Sequence, residues 1–406
     1  MFGWEFPPFN SGGLGVACQG LTGGLASLGA RITFVLPQKI DCKSQDCKFV
    51  FGNEQPESTV IKTIKVDSPL SPYLTAASYR EEYKTFAGTG IRHGIWRKDL
   101  VAEVMRYADA AGKIAAREDF DIIHCHDWLT LPAGLKVKEI TGKPLVFQIH
   151  ATEYDRVHGD CMNREICAIE KEGLERADAV VAVSGYTKQK IVDCYNINRE
   201  KIKVVPNAID HARFAYSEND NFLNLKKHGK KIALFVGRLT FQKGPDYFLR
   251  AAKLASQVDP NIMFVFSGSG DMERWLIEEA ARLGLADKAI FAGFLRGDDL
   301  ARLYKMADIY VMPSVSEPFG LTSLEALASG TPILISRQSG VAQMVSHCLK
   351  VDFWDTDQIA DKILAACRYS ELRQTLQDNG LAEVKKFSWT DSAQKCLNVY
   401  RQVLTS

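Results

Sequence analysis

Two glutamates lie eight positions apart in the segment that follows an apolar run, residues 309–313. Glu317 stands in a polar loop after that run, and Glu325 stands in a helix that Gly320 is predicted to open. A loop carboxylate can contact a substrate, and the free N–H groups and positive dipole at a helix start can hold a phosphate. The alternative is that Glu317 is a solvated turn residue and Glu325 an exposed helix residue, as most glutamates are.

Two cations stand five positions apart in another loop between a strand and a helix, residues 237–244. The guanidinium of Arg238 can grip a phosphate through two hydrogen bonds, and the ammonium of Lys243 adds a mobile point charge. Together they suit a diphosphate, including one that leaves with growing negative charge, and this chemistry needs no metal. The alternative is a pair of exposed basic residues.

The remaining polar candidates also follow apolar runs rather than precede them. They are Gly12-Gly13, His126-Asp127, His150 and Gly268-Ser269-Gly270. A glycine-rich turn before a helix lets backbone N–H groups approach a ligand, although two glycines also make a plain tight turn.

These residues need a scaffold, and apolar strands alternate with helices along most of the chain. Such alternation predicts parallel sheets covered on both faces, so the fold class is α/β with two doubly wound, Rossmann-like domains. We expect one domain over 1–207 and a second over 208–388, with a polar linker at 210–230. Ligands bind at the carboxyl ends of such strands, which places the candidates around a cleft that the two domains face.

The composition is that of a globular protein without a basic excess. Of 406 residues, 46% are hydrophobic, and 50 Lys and Arg nearly balance 49 Asp and Glu. We therefore expect no nucleic-acid partner, and no apolar run reaches the ~18 residues of a membrane span. The N-terminus has neither the basic nor the apolar region of a signal peptide, so we expect a cytoplasmic protein.

The cysteines and the segment after the first domain's second strand carry weaker signals. Ten cysteines occur without a CxxC pair, which indicates a reducing compartment and mostly inert thiols. His124-Cys125-His126-Asp127 could suggest zinc, but no second cluster completes a site, so we expect no metal. Residues 48–51 and 59–66 read as strands, and the aromatic-rich stretch 69–96 forms either a platform for a sugar or a loop pinned to the domain.

Four motifs in order resemble those of the retaining GT-B glycosyltransferases, and within them the glycogen and starch synthase group and its bacterial relatives. The motifs are Phe2-Gly3-Trp4-Glu5-Phe6-Pro7-Pro8 with Gly12-Gly13-Leu14-Gly15, His124-Cys125-His126-Asp127-Trp128, Val236-Gly237-Arg238 to Lys243-Gly244, and Glu317-Pro318-Phe319-Gly320 with Glu325. The resemblance covers nearly the whole chain. It implies that the last helix, within residues 389–406, crosses back to pack on the first domain.

The resemblance also implies a role for each matching residue. Glu317 would contact the hydroxyls of the donor sugar, His150 would lie near that sugar, and Arg238 and Lys243 would stabilise the leaving diphosphate. Glu325 would hold the nucleotide ribose. The other implied donor-binding residues are Gly12, Gly13, Gly268, Ser269, Leu295, Phe319, Gly320, Leu321 and Thr322.

The chain departs from the group at two places. Many bacterial glycogen synthases have Lys-x-Gly-Gly-Leu, whereas Asn10 and Ser11 precede the glycines here, so ADP-glucose and UDP-glucose both stay open as donors. The first strand usually has more apolar residues than Met1 and Phe2. We therefore expect either that the natural chain begins a few residues earlier or that this strand is shortened.

The predicted function is transfer of a hexose, glucose first, from ADP- or UDP-glucose to the non-reducing end of an α-1,4-glucan, with retention. A nucleotide sugar and an α-glucan or other sugar acceptor are the expected partners, and no cofactor is expected. The alternatives are a small-molecule or lipid acceptor and a sugar-nucleotide epimerase-like or non-catalytic relative of the same fold.

Overall fold

The computed structural model describes residues 1–7, 12–37, 61–65, 99–156, 162–214 and 229–405, with the backbone alone described for 61–65. Its contacts divide the chain into two compact units. The N-terminal unit takes residues 1–154, 158–207 and 389–406, and the C-terminal unit takes 155–157 and 208–388. The strand predicted at 48–51, the aromatic stretch 69–96, and Asn10 and Ser11 lie outside the described residues.

The N-terminal unit is built on parallel strands, of which β3, β4 and β5 are buried throughout. Its strands are β1 (Ile32–Leu36), β2 (Ile61–Lys65), β3 (Ile123–His126), β4 (Leu145–Ile149), β5 (Ala179–Ala182) and β6 (Ile202–Val204). β1 pairs with β2, and β3 to β6 pair in chain order. Phe2 forms parallel bridges to Val35 of β1 and to Cys125 of β3, so it stands in the sheet between these strands. The chain thus forms β1 and β2 on one side of Phe2 first, and then β3 to β6 on the other side.

Helices cover this sheet, and several begin at side chains that accept hydrogen bonds from the free N–H groups of the first turn. They are α1 (Gly13–Ser27), α2 (Leu100–Ala115), α3 (Leu131–Thr141), α4 (Glu153–Arg156), α5 (Arg164–Arg176) and α6 (Gly185–Tyr195). The side chains of Asp99, Asn163 and Ser184 cap α2, α5 and α6. The four residues of α4 are too few to show a helical period, and the sequence did not predict this helix.

The C-terminal helix belongs to the N-terminal unit, as the resemblance predicted. This helix, Trp389–Thr405, packs on α1 at two glycines. A Cβ at Gly20 would lie 2.0 Å from the Trp389 ring, and one at Gly24 would lie 2.5 Å from the Trp389 carbonyl oxygen. Only a residue without a side chain allows the two helices to come this close.

The C-terminal unit has one six-stranded parallel sheet. Its strands are β7 (Lys231–Val236), β8 (Ile262–Ser267), β9 (Ala289–Gly293), β10 (Ile309–Met312), β11 (Ile333–Ser336) and β12 (Leu349–Val351). Its helices are α7 (Pro245–Val258), α8 (Glu273–Arg282), α9 (Gly297–Met306), α10 (Leu321–Ala328), α11 (Thr356–Arg368) and α12 (Ser370–Val384), and the C-terminal helix of the other unit is α13. The predicted alternation of strands and helices is present throughout this unit, and β10 lies within the apolar run 309–313.

The order of this sheet is β12-β11-β10-β7-β8-β9. The chain moves outward from β7 through β8 and β9, then returns to the other side of β7 and moves outward again. The loops after β7 and β10 therefore leave neighbouring strands in opposite directions, which is where open α/β sheets hold their ligands. The α/β fold with two parallel, doubly wound sheets is confirmed.

Candidate active site

In the C-terminal unit, the loops after β7 and β10 meet through an ion pair. Lys243 ends a short 3-10 helix that follows β7, and its Nζ lies 2.5 Å from Oε2 of Glu317 in the loop after β10. The side chains of Lys243 and Glu317 are 22% and 8% exposed, so the pair is largely sheltered from water. Two residues 74 positions apart thus form one charged unit at the switch point of the sheet.

Gln242 joins the same two loops, and the sequence analysis missed it. Its side-chain oxygen accepts a hydrogen bond of 3.1 Å from Arg238, and its side-chain nitrogen donates one of 3.1 Å to the carbonyl of Ser316. Its backbone carbonyl accepts from the N–H of Val315 at 2.9 Å. A buried amide four positions after Arg238 therefore holds the guanidinium and the Glu317 loop in fixed positions. The only available signal was its place between the two cations.

Glu317 is 6% exposed, so the alternative of a solvated turn residue is wrong. Its N–H donates to the carbonyl of Gln338 at 3.0 Å, and its carbonyl accepts from Gly340 at 2.9 Å. Ser314 also donates its hydroxyl to the carboxylate at 3.4 Å. The Glu317 backbone is thus fixed by Gln338 and Gly340, and its carboxylate is held by Lys243 and Ser314.

The predicted helix start after this loop is present at α10. Gly320 precedes the helix with φ 106°, a left-handed conformation that favours glycine, and a Cβ there would lie 2.9 Å from Val341. Leu321 and Thr322 form the first turn and are partly exposed, and Tyr310 donates its hydroxyl to Thr322 at 2.7 Å. The first N–H groups of α10 have no partner inside a helix, as phosphate binding requires. Phe319 is buried in the core at 3% exposure.

Glu325 is partly buried, so the alternative of an exposed helix residue is also wrong. The Tyr304 hydroxyl donates to its Oε2 at 2.9 Å. Burial raises the pKa of the Glu325 carboxyl, and the hydrogen bond from Tyr304 offsets part of that rise. Tyr304 lies in the last turn of α9, and its contact with α10 could not be inferred from the sequence.

The loop after β8 packs closely against the loop after β7. Gly268 has φ 141°, and a Cβ there would lie 1.9 Å from the carbonyl oxygen of Gly237. The N–H of Leu239 donates to the carbonyl of Ser269 at 2.9 Å. Ser269 is exposed, and Leu295 is partly exposed in the loop after β9. The candidate residues in the loops after β7, β8, β9 and β10 thus all lie at the same edge of the sheet, where the parallel strands have their carboxyl ends.

In the N-terminal unit, the predicted glycine turn lies at the start of α1. Gly12 is extended and directly precedes α1, whose first residue is Gly13. Glu5, which is 2% exposed, accepts a hydrogen bond of 2.6 Å from the N–H of Gly15. A carboxylate therefore already satisfies one N–H of the first turn, and the sequence analysis missed this role of Glu5. Its place between the apolar Trp4 and Phe6 was the available signal.

His150 follows β4, and its backbone is held by Asp127, which directly follows β3. The carboxylate of Asp127 accepts hydrogen bonds from the N–H groups of His150 and Ala151, at 2.7 and 3.3 Å. Asp127 has φ 58°, a conformation uncommon for residues other than glycine. Burial lowers the pKa of His150 to about 3, so its ring is neutral at physiological pH.

His150 is the outer member of a row of three histidines. Its Nε2 lies 3.0 Å from Nδ1 of His126, and the His126 ring stacks on His124 with centroids 4.5 Å apart. Nδ1 of His124 lies 2.5 Å from the hydroxyl of Tyr400 on α13. Burial lowers the pKa of His124 to about 3 and that of His126 well below its usual value. A row of neutral rings thus connects α13 to the candidate sugar-binding histidine.

The chain matches two family models, one in each half. Residues 11–213 match Glycosyltransferase Family 4, and residues 217–382 match glycosyl transferases group 1.

Relatives with curated names match over most of their length. An uncharacterized glycosyltransferase of Methanocaldococcus jannaschii is 31% identical over 99% of this chain and 97% of its own. A D-inositol 3-phosphate glycosyltransferase of Salinispora tropica is 31% identical over 81% of this chain and 76% of its own. A glycogen synthase of Mycobacterium tuberculosis is 27% identical over 85% of this chain and 79% of its own.

Solved structures of low sequence identity share the fold. Sucrose-phosphate synthase from Thermosynechococcus elongatus superposes with a TM-score of 0.76 at 20% identity, covering 100% of this chain and 98% of its own. Anabaena HepE, in complex with UDP and glucose, superposes with a TM-score of 0.73 at 18% identity, covering 99% and 98%.

Two parallel-sheet α/β units with these neighbours define the GT-B fold of two Rossmann-like domains. The chain belongs to the glycosyltransferases, with a Family 4 N-terminal part and a group 1 C-terminal part. Among the described residues, no helix has both the length and the hydropathy needed to cross a membrane.

Proposed function

We propose that this glycosyltransferase moves glucose from ADP- or UDP-glucose to the non-reducing end of an α-1,4-glucan, with retention and without a metal. The observation that carries the proposal is the ion pair between Lys243 and Glu317, with Arg238 beside it, at the switch point of a parallel sheet. This arrangement puts a cation for the leaving diphosphate next to a carboxylate for the sugar.

Arg238, Lys243 and the start of α10 bind the diphosphate. Lys243 uses one N–H on Glu317 and has two more to donate, because an ammonium carries three. The N–H groups of Leu321 and Thr322 add the positive end of the helix dipole. As the bond to the sugar breaks, negative charge grows on the diphosphate, and these fixed donors stabilise it.

The two glutamates have separate tasks. Glu317 accepts hydrogen bonds from hydroxyls of the donor sugar, and its contact with Lys243 couples sugar position to phosphate binding. Glu325 accepts from the ribose hydroxyls while Tyr304 holds its second oxygen. A carboxylate can accept several hydrogen bonds at once, which suits both roles.

His150 contacts the donor sugar as a neutral ring. Its pKa of about 3 means that the ring neither gains nor loses a proton at neutral pH. Its role is therefore hydrogen bonding and positioning rather than acid catalysis. Retention follows from attack by the acceptor on the face that the diphosphate leaves, through an oxocarbenium-like state. The two glutamates are assigned to different parts of the donor, the sugar and the ribose, so they do not act as a glycosidase pair.

The names of relatives support the substrate assignment. The M. tuberculosis relative is a glycogen synthase, and the HepE structure holds UDP and glucose. A second candidate acceptor is a small phosphorylated polyol, because the S. tropica relative is a D-inositol 3-phosphate glycosyltransferase.

The test is a screen for nucleotide release. Each donor, from ADP-, UDP- and GDP-glucose, is combined with glycogen, maltooligosaccharides or inositol 3-phosphate, in buffer with a chelator. We expect release with UDP- or ADP-glucose and a glucan, and extension of maltooligosaccharides by one residue at the non-reducing end. Release only with inositol 3-phosphate would overturn the glucan assignment and favour the second candidate. Complete dependence on a divalent cation would contradict metal-free transfer.

A further inference from the structure

The fold brings a thiol to the histidine row of the N-terminal unit. The Cys18 sulfur and one ring nitrogen each of His126 and His150 all lie within 4.8 Å of one another. Cys18 lies on α1, His126 ends β3 and His150 follows β4. These three residues, the C18–H126–H150 cluster, come from separate elements, which is why the motif around His124 gave no complete metal site.

The donor types and spacing suit one zinc ion. Zinc binds thiolate at about 2.3 Å and imidazole at about 2.0–2.1 Å, so its tetrahedral ligand atoms lie roughly 3.3–3.7 Å apart. The contact of 3.0 Å between Nδ1 of His126 and Nε2 of His150 is slightly shorter, and the Cys18 sulfur lies within 4.8 Å of a ligand nitrogen of each ring. Small changes in side-chain torsion would bring all three atoms onto one ion.

The proposed ligand atom sets the tautomer of His126. The His126 ring is fully buried, its Nδ1 faces His150, and within the described part of the chain its Nε2 has no hydrogen-bond partner. When Nδ1 binds the ion, the ring proton lies on Nε2. Neutral imidazole is also the form that binds metals.

The surroundings favour a cation. The carboxylates of Glu5 and Asp127 act electrostatically on the Cys18 sulfur, so two negative charges lie near the cluster. Asp127 also fixes the backbone of His150 at 2.7 Å, an outer contact of the kind that orients metal ligands. His150 is partly exposed, whereas Cys18 and His126 are fully buried, so an ion would enter from the His150 side.

We propose that Cys18, His126 and His150 bind one zinc ion through a thiolate and two imidazoles, with water in the fourth position. The Cys18 thiol releases its proton to solvent as the sulfur–metal bond forms, and no electrons are transferred. The ion is not a cofactor for transfer. Instead it fixes the His150 ring in the cluster, so that Nε2 is not available to a sugar hydroxyl, and inhibits the enzyme, a consequence that rests on the proposed function.

The binding test uses the full chain after treatment with a chelator and dialysis. Zinc is titrated in competition with a chromophoric chelator, and we expect one tight site in the wild type. Cys18→Ser should lower the zinc affinity by more than about 100-fold. The loss of an outer contact to a metal ligand costs about 10–100-fold, and here a ligand itself is removed. Cys367→Ser, which removes a buried thiol from the C-terminal unit, should leave it unchanged.

A cobalt titration reports the ligand directly. Cobalt(II) bound to the wild type should give a thiolate-to-metal charge-transfer band that Cys18→Ser lacks and Cys367→Ser keeps. Circular dichroism shows whether each variant is folded. No tight zinc site in the wild type, or an unchanged site and band in folded Cys18→Ser, would overturn the proposal.

Activity is measured separately, so the two proposals can fail independently. Zinc should inhibit nucleotide release by the wild type and by Cys367→Ser, but not by Cys18→Ser. Zinc binding without inhibition would leave the site standing and would contradict the role of His150 in transfer. If no donor and acceptor react, the competition and cobalt titrations still decide whether the site exists.

Discussion

In the C-terminal unit, Lys243 and Glu317 oppose full charges across 2.5 Å, whereas in the N-terminal unit three histidines pack as neutral rings. The first region can respond to charge that develops on a ligand, because its cations are fixed beside the proposed phosphate site. The second region cannot, since its rings stay neutral at working pH. Changes in the charged region should therefore reduce turnover, and changes at the buried His124 and His126 should reduce stability.

The largest effect is expected for the ion pair itself. Lys243→Met and Glu317→Gln should each lower kcat by about 10²–10³-fold, the range found when one fixed transition-state donor is removed. The double variant should lose little more than either single one, because residues that act as one unit are not additive. The measurement is kcat for nucleotide release at saturating donor.

The matched control is Lys253→Met, which removes a partly buried lysine from α7 of the same unit. Its kcat should stay within about twofold of the wild type, as for surface changes away from a site. Circular dichroism and urea unfolding accompany each variant, because Glu317 is buried and breaking a buried pair can cost about 3–5 kcal/mol. Near-normal turnover in either single variant would remove that residue from the site.

A fall in pH should destabilise the N-terminal unit, which contains the buried histidines, and should leave the C-terminal unit stable. His124 and His126 are fully buried and their pKa values are lowered in the folded protein, so the unfolded chain binds more protons below its histidine pKa of about 6.5. Stability is therefore fully present above pH 6.5 and is lost as the pH falls from there toward about 3. At pH 5.5 the two histidines should cost about 3 kcal/mol relative to pH 8.

Hydrogen exchange at pH 7.5 and 5.5 can follow each unit by its own strands, after correction for intrinsic rates. Amides of β4 should lose protection at the lower pH, and amides of β8 should not. In the C-terminal unit, burial raises the pKa of Glu325 and Asp246, which favours the folded state as the pH falls. Equal loss in both strands would contradict the assignment of the effect to the histidines.

What the sequence could predict differs between the two regions for a physical reason. Lys243 and Glu317 were accessible because each follows an apolar strand, and parallel strands place their carboxyl ends at one edge of a sheet. That rule needs only the local pattern. Their direct contact was not accessible, since it depends on Gln242 and on which strands are neighbours.

The histidine region shows where such reasoning stops. Cys18 sits on the buried side of a helix rich in small residues, and nothing in its neighbours distinguishes it from an inert thiol. Its approach to His126 and His150 depends on how α1 lies on the sheet, which no local pattern of the sequence shows. Tyr400 reaches His124 from 276 positions away, a contact that no local period contains.

The N-terminal unit also depends on a segment from the far end of the chain, and one glycine tests this. Gly20→Ala should destabilise the protein by about 1–3 kcal/mol, because its Cβ would lie 2.0 Å from the Trp389 ring of α13. Gly23→Ala on the same helix has nothing within 4 Å of its Cβ and should stabilise by about 0.5–1 kcal/mol. Urea unfolding of the two variants measures the difference. A Gly20→Ala variant as stable as Gly23→Ala would mean that α13 does not pack on α1 in this way.

The smallest effect is expected on the KM for the nucleotide sugar, and it distinguishes the proposed ribose and phosphate ends of the site in the C-terminal unit. Tyr304→Phe removes the donor to Oε2 of Glu325 and should raise the KM for the nucleotide sugar about 5–10-fold, which corresponds to about 1–1.4 kcal/mol for one hydrogen bond. kcat should change little, since the ribose contact is the same in the ground state and the transition state.

Tyr310→Phe provides the matched variant, because it frees Thr322 at the phosphate end instead of Glu325 at the ribose end. Inhibition by free nucleosides distinguishes the two, since a nucleoside has a ribose and no phosphate. Tyr304→Phe should weaken nucleoside binding by the same factor as donor binding, and Tyr310→Phe should leave nucleoside binding unchanged. Equal weakening in both variants would contradict separate ribose and phosphate ends, because Glu325 and Thr322 would then act on the same part of the ligand.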